Sequence, residues 1–436
     1  MDGRWAVERR RFLTRAGAVT AGVAAAVAPG APGLATPGIR RVQTGLDVLV
    51  RSDFAELADQ RVGVISNPTG VDSAYRHLVD LMHASGEVRL AAAFGPEHGF
   101  RGSAQAGGSE GTGIDARTGI TVYDAYGASQ AKWESMFAEA EVDTVVFDIQ
   151  DVGARFYTYI WTMYTSMAAA ARTGKRYVVL DRPNPVGGRA RGPMMTPAYT
   201  SGVGLKEIVQ QHGMTVGELA RFFNATFLPA EVGGPVELHV VRCRNWKRNL
   251  LAADTDLPWV MPSPNMPTPD TALVYPGTCL FEGVASITEG RGTCRPFELI
   301  GGLAEDFDYH WSDRLNARDL PGVEFREAYF TPTSAGQKPA LLNKLCAGVE
   351  VKVVDRAVYD PVRTAVAMLV EAHRYPAFAW RQDSWDTARP YWIDKLTGSP
   401  RLRTMIDAGA DVDDVVGAWA GELAAFERAR RPYLLY

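Results

Sequence analysis

VDTVVFDIQDVGARFYTYIWTMYTSMAAAARTGKRYVVLDRPNPVGG, residues 142–188, decides the fold. Its two ends, VDTVVFDIQD and KRYVVLDRPNPVGG, each carry an apolar run without polar alternation, closed by an aspartate. Between them, YTSMAAAARTG reads as a helix. Strand, helix and strand, with continuously apolar strands, are the pattern of a mostly parallel sheet covered on both faces. The segments before it repeat the unit. RVGVISNPTGV holds a strand at 62–66 and a turn at Asn67-Pro68-Thr69-Gly70. HLVDLMHAS reads as a helix, VRLAAAF as a strand ending at Gly95-Pro96, ITVYDAYG as a short strand and QAKWESMFAEA as a helix. Leu46, Leu49, Val50, Phe54 and Leu57 give residues 40–60 helical spacing.

The chain has 436 residues, 46% of them hydrophobic, enough to bury a large core in two or three domains. It has no lysine or arginine tract outside its N-terminus, which argues against nucleic acid as a partner. No apolar run reaches the ~20 residues of a membrane-spanning helix. Residues 8–35, ERRRFLTRAGAVTAGVAAAVAPGAPGLA, join a basic start to a mildly apolar stretch and small residues suited to cleavage after Ala28 or Ala35. Residues 1–35 are therefore expected to be a twin-arginine-type export signal, sending the mature chain to the periplasm or the medium. Cys243, Cys279, Cys294 and Cys346 form no CxxC pair and have no zinc spacing. There is no GxGxxG or GxxxxGK[ST] either, so neither a metal nor a cofactor is expected. Free buried cysteines are the simplest reading, and export permits a disulfide, for which Cys279 and Cys294 are the favoured pair.

Texture changes at MPSPNMPTPDTALVYPGTCLFEGVASITEGRGTCRPFELIGG, residues 261–302. So many prolines and glycines make a poor helix or sheet core, and a long turn-rich segment with Tyr, Phe and Cys reads as a functional loop at a domain boundary. It divides a first domain, 40–262, from a second, 263–436. The second holds a helix at about 299–305, a strand in GVEVKVVD, a helix in RTAVAMLVEAHRYP and a helical C-terminal stretch. The expected architecture is α/β: a Rossmann-like N-terminal domain with a mostly parallel sheet, plus a smaller C-terminal α/β domain.

Reactive side chains gather after the strands. Asn67 follows the first and Glu97-His98 the second. Asp148, Asp151 and Arg155 follow TVVF, and Asp181, Arg182 and Asn184 follow YVVL. In open α/β sheets the ligand sits beyond the carboxyl ends of the strands, so the four groups are expected to share one crevice. Each alone has a structural explanation, as a helix cap or a turn. The loop adds Asn265, Glu282, Glu289 and Arg291.

GVISNPTGV, FGPEHGFRG, VYDAYG, FDIQDVGARFYTY, LDRPNPVGG, GMTVGELA, MPSPNMPT, YPGTCLFEG and TEGRGTCRPFE occur in that order. Together they resemble the bacterial exo-β-N-acetylmuramidases, long described as a domain of unknown function. The likeness spans roughly residues 60–436. It implies a cleft between a Rossmann-like domain and a smaller one. It also implies release of N-acetylmuramic acid from peptidoglycan-derived saccharides, the expected partner. The glutamate of GPEHG, the candidate acid of that family, corresponds to Glu97.

Glycoside hydrolysis uses two carboxyl groups, one of which protonates the leaving oxygen. Such an acid needs an apolar or anionic setting, which Phe94 and Phe100 could supply to Glu97. His98 orients it, binds substrate or sits in the core. Asp148, Asp151, Glu282 and Glu289 compete for the second carboxylate, with Asp148 and Glu282 in front. Arg155, Arg182 and Arg291 are candidates for the lactyl carboxylate of muramic acid, since a guanidinium matches it with two parallel hydrogen bonds. Tyr157 and Tyr159 stack on sugar rings or belong to the core. The alternatives are a non-catalytic exported cell-wall sugar-binding protein and, more weakly, another exported hydrolase, for which a G-x-S-x-G elbow is missing.

Overall fold

The two apolar ends of the 142–188 segment are neighbouring central strands. Among the described residues, nine strands precede residue 262: β1 (Arg61–Ser66), β2 (Arg89–Gly95), β3 (Gly113–Ile114), β4 (Thr121–Asp124), β5 (Thr144–Asp148), β6 (Arg176–Leu180), β7 (Arg191–Met194), β8 (Val209–Gln211) and β9 (Glu237–Val241). The computed structural model describes residues 41–334, 336 and 338–436. The segment read as an export signal lies outside them. Among the described residues, seven strands form one sheet in the order β3-β4-β2-β1-β5-β6-β9. All pairs are parallel except β3 with β4. β7 and β8 form a separate hairpin.

Both faces of the sheet are covered. Val145 and Phe147 of β5 pack with Tyr177 and Val179 of β6 against Trp133, Phe137, Ile160, Met167 and Phe223. Those residues come from the helices Gln130–Glu139, Tyr159–Arg172 and Val216–Thr226. Val146, Val178 and Leu180 enter the opposite core with Leu46 and Leu49 of Gly45–Arg51 and Leu78, Val79 and Met82 of Leu78–Ser85. Successive strand residues point to opposite faces, so a strand buried on both sides is apolar throughout. In register, Phe94 of β2 lies beside Ile65 of β1, Ile65 beside Phe147 of β5 and Phe147 beside Val179 of β6. The carboxyl ends of these four strands are therefore level.

The second half builds a smaller sheet from β10 (Ile287–Thr288), β11 (Leu299–Leu303), β12 (Val323–Phe330) and β13 (Cys346–Val353). Its order is β10-β11-β13-β12 and every pair is antiparallel. The α/β reading holds for both halves, but two local expectations fail. Residues 299–303 are strand, not helix. Gly301 and Gly302 allow this, because a Cβ on Gly301 would lie 2.6 Å from the Ala347 carbonyl oxygen and one on Gly302 2.3 Å from the Phe307 ring. The proline-rich segment also contains a helix, Pro269–Thr278. Thr268 caps it by accepting from the Thr271 N–H, and Pro269 sits in the first turn, where no intrahelical donor is needed. The cysteines are free, with Cys279 buried and Cys294 exposed.

Candidate active site

The chain winds outward from β1 in both directions, so its topological switch point lies between β1 and β5. That crevice is sealed. Arg182 donates from Nε and Nη2 to the two Asp148 carboxylate oxygens at 2.5 and 2.8 Å, and from Nη2 to the Val71 carbonyl at 3.1 Å. Burial pushes the Asp148 carboxyl up in pKa and the guanidinium pulls it back. Asn67 accepts from the N–H and hydroxyl of Thr69, whose hydroxyl in turn accepts from the Gln150 N–H. The loops after β1, β5 and β6 are thus tied to one another.

Most of the other strand-end candidates are also used by the scaffold. Asp181 accepts from the Gly217 N–H and from the hydroxyls of Thr215 and Tyr436 at 2.7–2.8 Å, holding the start of the helix Val216–Thr226. Burial pushes its pKa up to about 6 against these bonds. Asn184 accepts from the Val186 N–H and donates to the Met214 carbonyl. Asp151 accepts from the Gly153 N–H and pairs with His212. Arg155, fully buried, donates to the carbonyls of Pro193, Ile208 and Leu396 at 2.6–2.9 Å. Burial pushes its pKa down to about 9. It clamps both halves of the chain together through their backbones, and among the described residues no carboxylate forms an ion pair with it, the Glu422 charge acting only from farther off.

The opening lies instead over β2. Beyond Gly95, the chain reverses in Pro96-Glu97-His98-Gly99, with His98 and Gly99 at φ 69° and 87°. A Cβ at Gly99 would lie 2.2 Å from the Glu110 carboxyl carbon, so this turn needs glycine. Half-buried Glu97 accepts from the Gly107 N–H at 2.9 Å and from the Thr158 hydroxyl at 3.2 Å. His98 Nδ1 lies 3.1 Å from the Ala104 carbonyl oxygen. Phe94 and Phe100 do not wall the acid, because they lie in the two opposite cores of the sheet. Glu97 and His98 line a cleft of about 700 Å³ with Tyr157, Tyr159, Glu282 and Arg291. Tyr159 donates to the Pro262 carbonyl at 2.6 Å, and the Tyr157 hydroxyl is buried beside Ser263.

Glu282, Glu289 and Arg291 come from the second half. Arg291 donates from Nε to Glu289 at 2.9 Å and from Nη2 to Glu282 at 2.5 Å. Glu289 also holds Lys338, which donates to the Phe281 carbonyl at 2.7 Å. Burial works against the Arg291 and Glu289 charges. Even so, the two glutamates hold the Arg291 pKa above its ordinary value, and Lys338 and Arg291 hold Glu289 below its own. Two carboxylates balance two cations, as buried charges require. Among the described residues, Arg291 Nη1 has no hydrogen-bond or ion-pair partner. The adjoining recess is lined by Asn265, Glu282, Glu289, Arg291, Lys338 and Arg381. Thr158 lies inside the FDIQDVGARFYTY motif without standing out as a reactive side chain, and Lys338 and Arg381 carry no motif-like signal; their places at the site appear only once the halves are packed together.

A wound α/β sheet with a strand-end cleft bearing carboxylates from both halves of the chain is the class that fold and site define. The chain matches the family described as "Exo-beta-N-acetylmuramidase NamZ", by the N-terminal description over residues 62–270 and by the C-terminal one over 273–436. It is 42% identical over 398 residues to "Peptidoglycan beta-N-acetylmuramidase NamZ" of Bacillus subtilis (strain 168), covering 91% of this chain and 92% of that one. Two crystal structures of DUF1343 family proteins from Bacteroides fragilis NCTC 9343, each 31% identical, match 91% of this chain and 99% of theirs with TM-scores of 0.77 and 0.70. The chain belongs to the exo-β-N-acetylmuramidase NamZ family.

Because Asp148 and Arg182 are buried as a pair, Arg182→Met leaves an uncompensated carboxylate inside. Urea unfolding should show a loss of about 3–5 kcal/mol, and adding Asp148→Leu should restore most of it. A single variant as stable as the wild type would show that the pair does not hold the strand ends together.

Proposed function

We propose that the protein is an exo-acting glycoside hydrolase that releases N-acetylmuramic acid from the non-reducing end of peptidoglycan fragments, with Glu97 as its general acid and base. The observation that carries this reading is the shared cleft: Glu97 from the first half and Glu282 from the second line it together, beside Arg291, whose Nη1 has no hydrogen-bond partner among the described residues. The family description and the name of the Bacillus subtilis relative support the substrate class.

Glu97 gives its proton to the bridging oxygen as the bond to the anomeric carbon breaks. Glu282 stabilises the positive charge that develops on that carbon, and a water adds to it as the new hydroxyl while Glu97, now a carboxylate, takes up the water's proton and is restored. Of the four candidates for the second carboxylate, Glu282 is the one lining the cleft with Glu97. Asp148 and Asp151 are tied into the scaffold, and Glu289 is held by two cations. The lactyl carboxylate of muramic acid takes Nη1 of Arg291. Arg155 and Arg182 suit that role less, because both guanidinium groups are buried and hydrogen-bonded to the scaffold.

Glu97→Gln keeps the shape and loses the proton. Turnover of a chromogenic muramic-acid glycoside should fall by ~10²–10⁴ while binding survives; near-wild-type turnover would remove Glu97 from the mechanism. Wild-type protein that binds this glycoside without cleaving it would be a sugar-binding protein.

The wild type should also prefer the muramic-acid glycoside over its N-acetylglucosamine counterpart. A charge-assisted hydrogen bond contributes ~1.5–3 kcal/mol, so Arg291→Ala should reduce this preference about ten- to hundredfold. An unchanged ratio of the two rates would clear Arg291 of the role.

Export through the folded-protein route completes the proposal, since peptidoglycan lies outside the cytoplasmic membrane. Changing Arg9, Arg10 and Arg11 together to lysine should leave the protein in the cytoplasm of its host. Normal secretion of that variant would refute the assignment of the signal.

A further inference from the structure

Glu97 lines two recesses, and their chemistry differs. On one side lies the charged cleft with Glu282 and Arg291. On the other lies a wider hollow of about 1100 Å³, in which Glu97 is the one charged residue among the described residues that line it. Its walls are mostly carbon. Tyr126 comes from the loop after β4, Trp133 from the helix Gln130–Glu139, Trp161 from Tyr159–Arg172, and Val203 and Leu205 from a loop ahead of β8. Thr158 and Val203 border both recesses.

The back wall of this hollow is rigid. Trp161 stacks on Phe223 with ring centroids 5.6 Å apart and donates its indole N–H to the Arg155 carbonyl at 2.8 Å. Trp133 is fully buried. Tyr126 differs from both. It is 39% exposed, and its hydroxyl makes no hydrogen bond among the described residues. Burial, and then the Glu97 charge, hold its pKa up, and the two side chains line the same hollow.

An acid that protonates a bridging oxygen must stand between the two sugars. The sugar that is cut off carries a carboxylate and the sugar left behind is neutral, so their charges decide which side each takes. We propose that the apolar hollow is the leaving-group subsite, where the neutral amino sugar packs a C–H face on Tyr126, and that Tyr126 determines how well a saccharide leaving group is held. This rests on the hydrolase reading above and assigns a direction to that site: muramic acid towards Arg291, the remaining chain towards Tyr126.

The test compares two substrates. One is the disaccharide of N-acetylmuramic acid β-1,4-linked to N-acetylglucosamine, which fills the hollow. The other is the β-fluoride of N-acetylmuramic acid, whose leaving group is too small to reach it. For Tyr126→Ala, the ratio of kcat/KM for the disaccharide to that for the fluoride should fall about five- to tenfold, mainly through KM. Tyr126→Phe, which keeps the ring, should recover most of the loss. An unchanged ratio for Tyr126→Ala, or equal losses on both substrates, would overturn the subsite. A wild-type protein that cleaves neither substrate would overturn the hydrolase reading itself, a result distinct from either.

Discussion

The buried pair of Asp148 and Arg182 fixes where this protein can have a site. In a doubly wound sheet, the natural opening lies between the strands at which the winding reverses, here β1 and β5. That opening is filled by a two-pronged ion pair, an Asn-Thr turn and the Gln150 backbone. Charges so placed must be paired and hydrogen-bonded to be tolerated, and these are. With the centre closed, the cleft moves over β2, where Gly95, Pro96 and Gly99 turn the chain sharply and present Glu97.

The second half completes what the first begins. Arg155 binds backbone carbonyls on both sides of residue 262, and Tyr159 holds the Pro262 carbonyl. These contacts set the proline-rich segment against the strand ends and bring Glu282 and Arg291 into the cleft that holds Glu97. The four-charge group of Glu282, Glu289, Arg291 and Lys338 is neutral as a whole, yet among the described residues one arginine nitrogen has no partner. A neutral cluster with a spare donor suits a ligand that brings one carboxylate.

Much of the large sheet was legible in the sequence because strands buried on both faces are apolar at every position, as Val145, Val146 and Phe147 illustrate. β9 escaped notice because it is an edge strand with Glu237 exposed and Leu238, His239 and Val240 only half-buried, so its pattern is diluted. β11 was misread as a helix because Leu299, Ile300 and Leu303 suit either period; Gly301 and Gly302, pressed by the neighbouring strand and the Phe307 ring, settle it. At the site, the sequence placed reactive side chains near the strand ends but could not say which way they point. Asp148, Asp181 and Arg155 look as reactive as Glu97 in one dimension. Only packing shows that three of them are spent on the scaffold.

A crystal structure of the Glu97→Gln protein with the intact muramic acid–glucosamine disaccharide tests the whole arrangement at once. The account predicts the bridging oxygen within hydrogen-bond distance of the residue-97 amide, the lactyl carboxylate on Nη1 of Arg291 and the neutral sugar against Tyr126. A disaccharide bound in the reverse direction, or away from residue 97 altogether, would contradict it.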